Sequence, residues 1–167
     1  GGTWSGPSAV SGGQFDPLTM SAGVYTYTID VPPPCVSVST TITVALILPP
    51  DAGSNGTLTL CNSSPSTPLL PAIGGAPDAN GTWSGPSNVF AGTFDPATMI
   101  PGTYTYTVQG TAPCPADIAE VLVSVVTEQD AGSPGAMLLC TTDASMVLYD
   151  HLGGTPDPGG VWSGPSA

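Results

Sequence analysis

Hydrophobic and polar residues alternate along much of this chain with a period of two. In residues 40–47, Ile42, Val44 and Leu46 fall on one face, with Thr41, Thr43 and Ala45 on the other. In residues 119–126, Val121, Val123 and Val125 oppose Glu120, Leu122 and Ser124. Tyr104, Tyr106 and Val108 share a face against Thr105 and Thr107, and Leu58 and Leu60 flank Thr59. Period-two runs rich in Val, Thr and Tyr, punctuated by Gly, Pro and Asn, predict antiparallel strands packed as a sandwich. No stretch carries a 3.6-residue period, so the expected fold class is all-β.

The same elements return at a fixed interval. Gly2-Thr3-Trp4-Ser5-Gly6-Pro7-Ser8 recurs as Gly81-Thr82-Trp83-Ser84-Gly85-Pro86-Ser87, and again as Gly160-Val161-Trp162-Ser163-Gly164-Pro165-Ser166. Both steps are 79 residues, and shifting the chain by 79 matches 41 of 88 overlapping positions without a gap. The chain is a tandem array. The strongest strand ends at Leu48-Pro49-Pro50-Asp51 and at its copy Thr127-Glu128-Gln129-Asp130, where turn residues begin. One complete domain is therefore expected over residues 51–129. Residues 1–50 read as the later strands of a preceding domain, and 130–167 as the first strands of a following one. Neither end piece holds a whole core, so each would expose strand edges. Either the native protein continues in both directions, or neighbouring copies complete the halves by strand addition.

Composition narrows the function. Twelve Asp and Glu and no Lys or Arg give a net charge of −12, although only 7 % of residues are charged. Nucleic-acid binding and docking on anionic lipid both require basic residues, so neither is expected. The lack of Lys and Arg also removes every trypsin site. Hydrophobic residues reach 40 %, enough for a packed core, while Gly and Pro together approach a quarter of the 167 residues and forbid long helices. The longest apolar stretches, 44–48 and 121–126, are far short of the roughly 18 residues that suggest a membrane span. With no initiating Met and no signal-peptide pattern at Gly1, the chain reads as an excerpt of a mature protein.

Cys35 repeats as Cys114 and Cys61 as Cys140, with no metal-ligand spacing nearby, so disulfides and an oxidising compartment are expected. Taking the Leu58–Leu60 run as the second strand of an antiparallel sandwich puts Cys61 and Cys114 in loops at one end. A Cys61–Cys114 bridge within the domain is then favoured, stabilising by about 4 kcal/mol through loop closure. Cys35 and Cys140 would find partners outside the chain or in neighbouring copies. A Cys35–Cys61 bridge is the alternative.

Catalysis is not expected. His151 is the sole histidine and is Ala72 in the other copy, and Ser84 lacks the glycine two residues upstream that a nucleophile elbow needs. Trp4, Trp83 and Trp162 read as core tryptophans, with carbohydrate stacking as the sharper alternative. One tyrosine of each pair, Tyr25/Tyr27 and Tyr104/Tyr106, is a candidate tyrosine corner. Asp95 before Pro96, and Asp78 with its copy Asp157, carry turn chemistry. Asp51, Glu128 and Asp130 are weak calcium candidates at the domain junctions, but Pro49-Pro50 replaces Glu128-Gln129 at the first one. No other cofactor is expected. Asn55, Asn62 and Asn80 open glycosylation triplets that their copies Pro134, Thr141 and Gly159 lack, so they read as turn residues.

Asp51-Ala52-Gly53, Leu60-Cys61, Gly74-Gly75-Ala76-Pro77-Asp78, Gly81-Thr82-Trp83-Ser84-Gly85-Pro86, Phe94-Asp95-Pro96-Ala97, the run from Gly102 through Tyr104 and Tyr106 to Val108, and Pro113-Cys114-Pro115 together form a module signature. It resembles the tandem immunoglobulin-like or PKD-like repeats of giant cell-surface adhesins of Bacteroidota, the gliding-motility adhesins among them. The resemblance spans the chain. It implies immunoglobulin-like sandwiches, secretion by the type IX pathway to the cell surface, and a non-catalytic role as adhesin stalk or filament. The implied partners are neighbouring repeats or copies, with surface polysaccharide as a further candidate. The alternative is a carbohydrate- or ligand-binding module of a larger secreted protein.

Overall fold

The computed structural model describes residues 1–164; Pro165 and Ser166, which end the third Trp-bearing phrase, lie outside the described residues. The chain is built of strands with almost no helix, and it divides into two compact units.

The first unit comprises Gly1–Asp51 and the loop Val108–Asp117. Its sheet has the order β1 (Thr3–Ser5), β2 (Gly23–Ile29), β3 (Val38–Val44), all antiparallel. β2 and β3 pair over their full length, from Gly23 opposite Val44 to Ile29 opposite Val38.

The second unit comprises Ala52–Thr107 and the chain from Ile118 onward. Here β4 (Gly56–Cys61), β6 (Thr82–Ser84), β8 (Gly102–Val108) and β9 (Asp117–Val126) form one sheet in the order β4-β9-β8-β6. A ribbon of β5 (Thr67–Pro68) and β7 (Thr93–Phe94) accompanies it, and a 3-10 turn, Leu70–Ala72, follows β5. The period of two places Ala119, Val121 and Val123 of β9 on the buried face, with Tyr104, Tyr106 and Val108 of β8. Leu69, Ile73, Phe94 and Ala52 complete the core, and Phe94 meets Tyr104 edge to face at 5.5 Å.

One pairing departs from the antiparallel expectation. β4 runs parallel to β9, from Gly56 opposite Val121 to Cys61 opposite Val126. Alternation fixes which side chains share a face but says nothing of a partner's direction. Asparagines tie both ends of β4 to β9. The Asn55 side-chain oxygen accepts from the Glu120 amide at 2.8 Å, and that of Asn62 from the Glu128 amide at 2.9 Å. Residues 135–140, the copy of β4, form no strand, because a strand has no independent stability without a partner.

Candidate functional site

The two copies of the main sheet differ at one edge. In the second unit β9 is flanked by β8 and β4; in the first, β3 is flanked by β2 alone among the described residues. The effect on equivalent side chains is large: Val121 is 0 % exposed, whereas its counterpart Ile42 is 53 % exposed. Beside Ile42 an apolar cavity of about 110 Å³ opens, lined by Trp4, Val10, Phe15, Tyr25, Ile42 and Val44. Their second-unit equivalents include Phe94, Tyr104, Val121 and Val123, which are fully covered.

Residues 130–159 repeat the local structure of residues 51–80 without forming the long strand pairing of β4. Ser133 and Gly153 exchange backbone hydrogen bonds of 2.7 and 3.0 Å, as Ser54 and Gly74 do at 2.8 and 2.9 Å. The Asp143 amide donates to the Cys140 carbonyl at 3.1 Å, as Ser64 does to Cys61 at 3.0 Å. The 3-10 turn Leu148–His151 falls where Leu70–Ala72 does. Several apolar side chains of this half lie in solvent: Leu138 is 99 % exposed, and Leu148 is 51 % exposed where its copy Leu69 is fully buried.

All four cysteines are free thiols, Cys114 half-buried and the others exposed. Cys61 ends β4 opposite Val126, and Cys114 lies in the loop that belongs to the first unit, so the two cysteines of the expected bridge fall in different compact units. Within the first unit the Cys114 sulfur instead contacts the Ile47 carbonyl at 3.6 Å. Cys35 occupies the equivalent place before β3, and Cys140 closes the unpaired segment.

The remaining candidates have structural surroundings. The Asp130 side chain accepts from the Gly132 amide at 2.7 Å, and its own amide donates to the Asp157 carboxylate at 2.9 Å. Glu128 offers its backbone to Asn62, and Asp51 is exposed at the unit boundary. Among the described residues no three His, Cys, Asp or Glu gather where a metal could be held, Asp51, Glu128 and Asp130 included. The tryptophans are less buried than a core reading requires. Trp83 is half-buried, Trp4 and Trp162 are exposed, and Trp83 leans on Tyr106 at 4.9 Å as Trp4 does on Tyr27 at 5.0 Å. Trp83 also borders an open groove of about 730 Å³ with Pro68, Leu70, Pro71 and Tyr106. Ser84 lies on β6 opposite Thr105, and His151 is exposed on its 3-10 turn. No helix among the described residues is long and apolar enough to cross a membrane.

Comparison with protein-family models, with curated proteins and with solved structures found no match.

Proposed function

We propose that this chain is a segment of an extracellular, non-catalytic stalk or filament built from tandem immunoglobulin-like repeats. The observation that carries the reading is repetition of detail as well as of sequence. The Gly2 amide donates to the Tyr27 hydroxyl at 2.9 Å and the Gly81 amide to the Tyr106 hydroxyl at 2.8 Å; Tyr25 bonds the Ser21 carbonyl and Tyr104 the Ile100 carbonyl, each at 2.7 Å. What is kept between repeats is the turns and the strand contacts they set, while β3 and β9 keep their alternation with different side chains, as a repeated scaffold requires and a single ligand pocket does not. The surface carries one sign of charge and no trypsin site, which suits a thread that persists outside a cell. Membership of the adhesin class rests on the module signature. Electron microscopy of the native material should show thin beaded fibres; well-separated globular particles from a full-length array would reject the reading.

The groove beside Trp83 favours a second reading, binding of surface polysaccharide by stacking on the half-exposed indole. A glycan array probed with the chain tests it, and binding that survives Trp83→Ala would reject this site.

A further inference from the structure

We propose that Met20 and Met99 are oxidation sites, and that a peroxide acting on either sulfur opens the turn which that sulfur closes. Each site needs only one turn of one unit, so the proposal stands apart from the stalk reading.

The sequence repeats this turn almost unchanged. Phe15-Asp16-Pro17-Leu18-Thr19-Met20 returns as Phe94-Asp95-Pro96-Ala97-Thr98-Met99, and only the fourth position differs. In both copies the aspartate and the methionine hold each other twice. The Asp16 amide donates to the Met20 sulfur and the Asp95 amide to the Met99 sulfur, each at 3.2 Å. In return each methionine amide donates to the carbonyl of its aspartate at 2.9 Å. A thioether sulfur accepts weakly, but a leucine of similar volume would not accept at all. Neither methionine is sealed in the core: both are half-buried, as attack by a small peroxide requires. The turn is also tied to the core on both sides. Phe94, just before Asp95, is wholly buried and meets Tyr104 edge to face at 5.5 Å, as Phe15 meets Tyr25. Ile100, just after Met99, accepts the Tyr104 hydroxyl at its carbonyl and donates its amide to Ser87 Oγ at 2.8 Å.

The chemistry uses the lone pair that faces the amide or its partner on the same sulfur. With hydrogen peroxide, a sulfur lone pair attacks one oxygen and the O–O bond breaks. The attacked oxygen stays on sulfur and gives its proton to the departing hydroxide, which leaves as water. Sulfur loses two electrons and the peroxide gains them. The product sulfoxide is polar and chiral, and reductases reverse it. No oxygen fits between the sulfur and an amide nitrogen 3.2 Å away, because an N–H donor alone needs roughly 2.7–3.2 Å to an oxygen. The sulfur must therefore withdraw from the amide, or keep its new oxygen in solvent with one lone pair already used. Either way the aspartate amide loses its acceptor. The carboxylate bonds of Asp95 to the Ala97 amide and the Thr98 hydroxyl do not involve sulfur, so opening begins at the aspartate amide. Met137 and Met146, the other two of the four methionines, lie outside these turns.

The test uses the 167-residue chain with its four thiols capped by N-ethylmaleimide, so that hydrogen peroxide meets no free cysteine. Mass-spectrometric mapping after pepsin digestion locates the added oxygen, and hydrogen exchange read by NMR follows single amides. Oxygen is expected on Met20 and Met99 of the folded chain. Exchange of the Asp16 and Asp95 amides should then rise about two- to tenfold, the range for losing one hydrogen bond. Methionine sulfoxide reductases acting on both epimers should restore the slow exchange. The volume-conserving variant Met20→Leu/Met99→Leu should exchange these two amides faster from the start and show no further change with peroxide. Oxidation of Met20 and Met99 only after unfolding in urea would overturn the proposal. So would sulfoxides that leave the two amides unchanged or slow them, or a peroxide response of the same amides in the leucine variant. None of these outcomes bears on the microscopy of native material, which decides the stalk reading on separate grounds.

Discussion

The backbone amide of Gly81 donates to the hydroxyl of Tyr106 at 2.8 Å, and that hydroxyl passes its own hydrogen to the Asp78 carbonyl at 2.6 Å. One buried phenol thereby pins the entry to β6 onto β8. Tyr106→Phe should leave both backbone groups without this partner and cost about 1–3 kcal/mol. Tyr27→Phe should cost less, since Tyr27 is only half-buried. Urea unfolding of the two variants checks the order, and an equal loss would contradict it.

Gly85 lies directly beneath the ring of Tyr104, so an added Cβ would fall far inside contact distance of three ring carbons. The ring cannot swing away, because its hydroxyl is tied to the Ile100 carbonyl at 2.7 Å and the residue is wholly buried. Gly85→Ala should therefore destabilise by about 1–3 kcal/mol. A urea midpoint equal to wild type would show that the sheet yields more easily than this packing implies.

These contacts indicate what could be read beforehand. Alternation placed Val121 and Val123 on one face of their strand and Tyr104 and Tyr106 on one face of theirs, and all four lie in the core. Asp95 was legible as a turn former, and its carboxylate accepts from the Ala97 amide and the Thr98 hydroxyl. The direction of β4 was not legible, because parallel and antiparallel pairing use the same alternation. That one ambiguity moved Cys61 to the opposite end of the sheet. The clue lay in Asn55 and Asn62, which bracket β4 and bond β9, but the same triplets read equally well as loop residues. The tryptophans misled because a large apolar side chain between glycines suggests burial, whereas Trp4 and Trp83 each lean on a tyrosine at the margin.

Ile42 and Val121 hold the same place in two sheets, but the second unit also holds a fourth strand, the β5–β7 ribbon and the core side chains Leu69 and Ile73. Val121→Ala should cost about 2 kcal/mol, combining lost apolar burial with the cavity left behind. Ile42→Ala should change the unfolding of an isolated chain by less than about 0.5 kcal/mol, the range of surface substitutions. Comparable losses at low protein concentration would mean that β3 is covered within a single chain.

Exposure and missing hydrogen-bonded partners also predict where the chain is cut. Leu138 is almost fully exposed, and residues 135–140 have no strand pairing, whereas β8 and β9 are paired and buried on one face. Brief treatment with a broad-specificity protease should cleave first within residues 135–148 and leave β8 and β9 joined. Early cleavage inside residues 119–125, read by mass spectrometry, would contradict the assigned core.

Acid should open one turn before it unfolds the sheets. Asp16 accepts from the Leu18 amide at 2.9 Å and from the Thr19 hydroxyl at 2.8 Å. These two bonds, the backbone one foremost, hold its carboxyl below the usual aspartate range against a slight opposing effect of burial. A carboxyl whose folded pKa is lowered contributes to the folded turn above its ordinary value, near 3.9, and that contribution is lost as pH falls through the lowered one. The site is fully exposed, so the change is local. NMR titration should show the Leu18 and Thr19 amides shifting with a midpoint below about 3.9 while β2 and β3 amides stay in place. Asp16→Ala should abolish that titration and loosen the turn near neutral pH, with the difference from wild type shrinking as pH falls through the lowered value. A midpoint above the ordinary value would mean that the carboxylate gains nothing from these bonds.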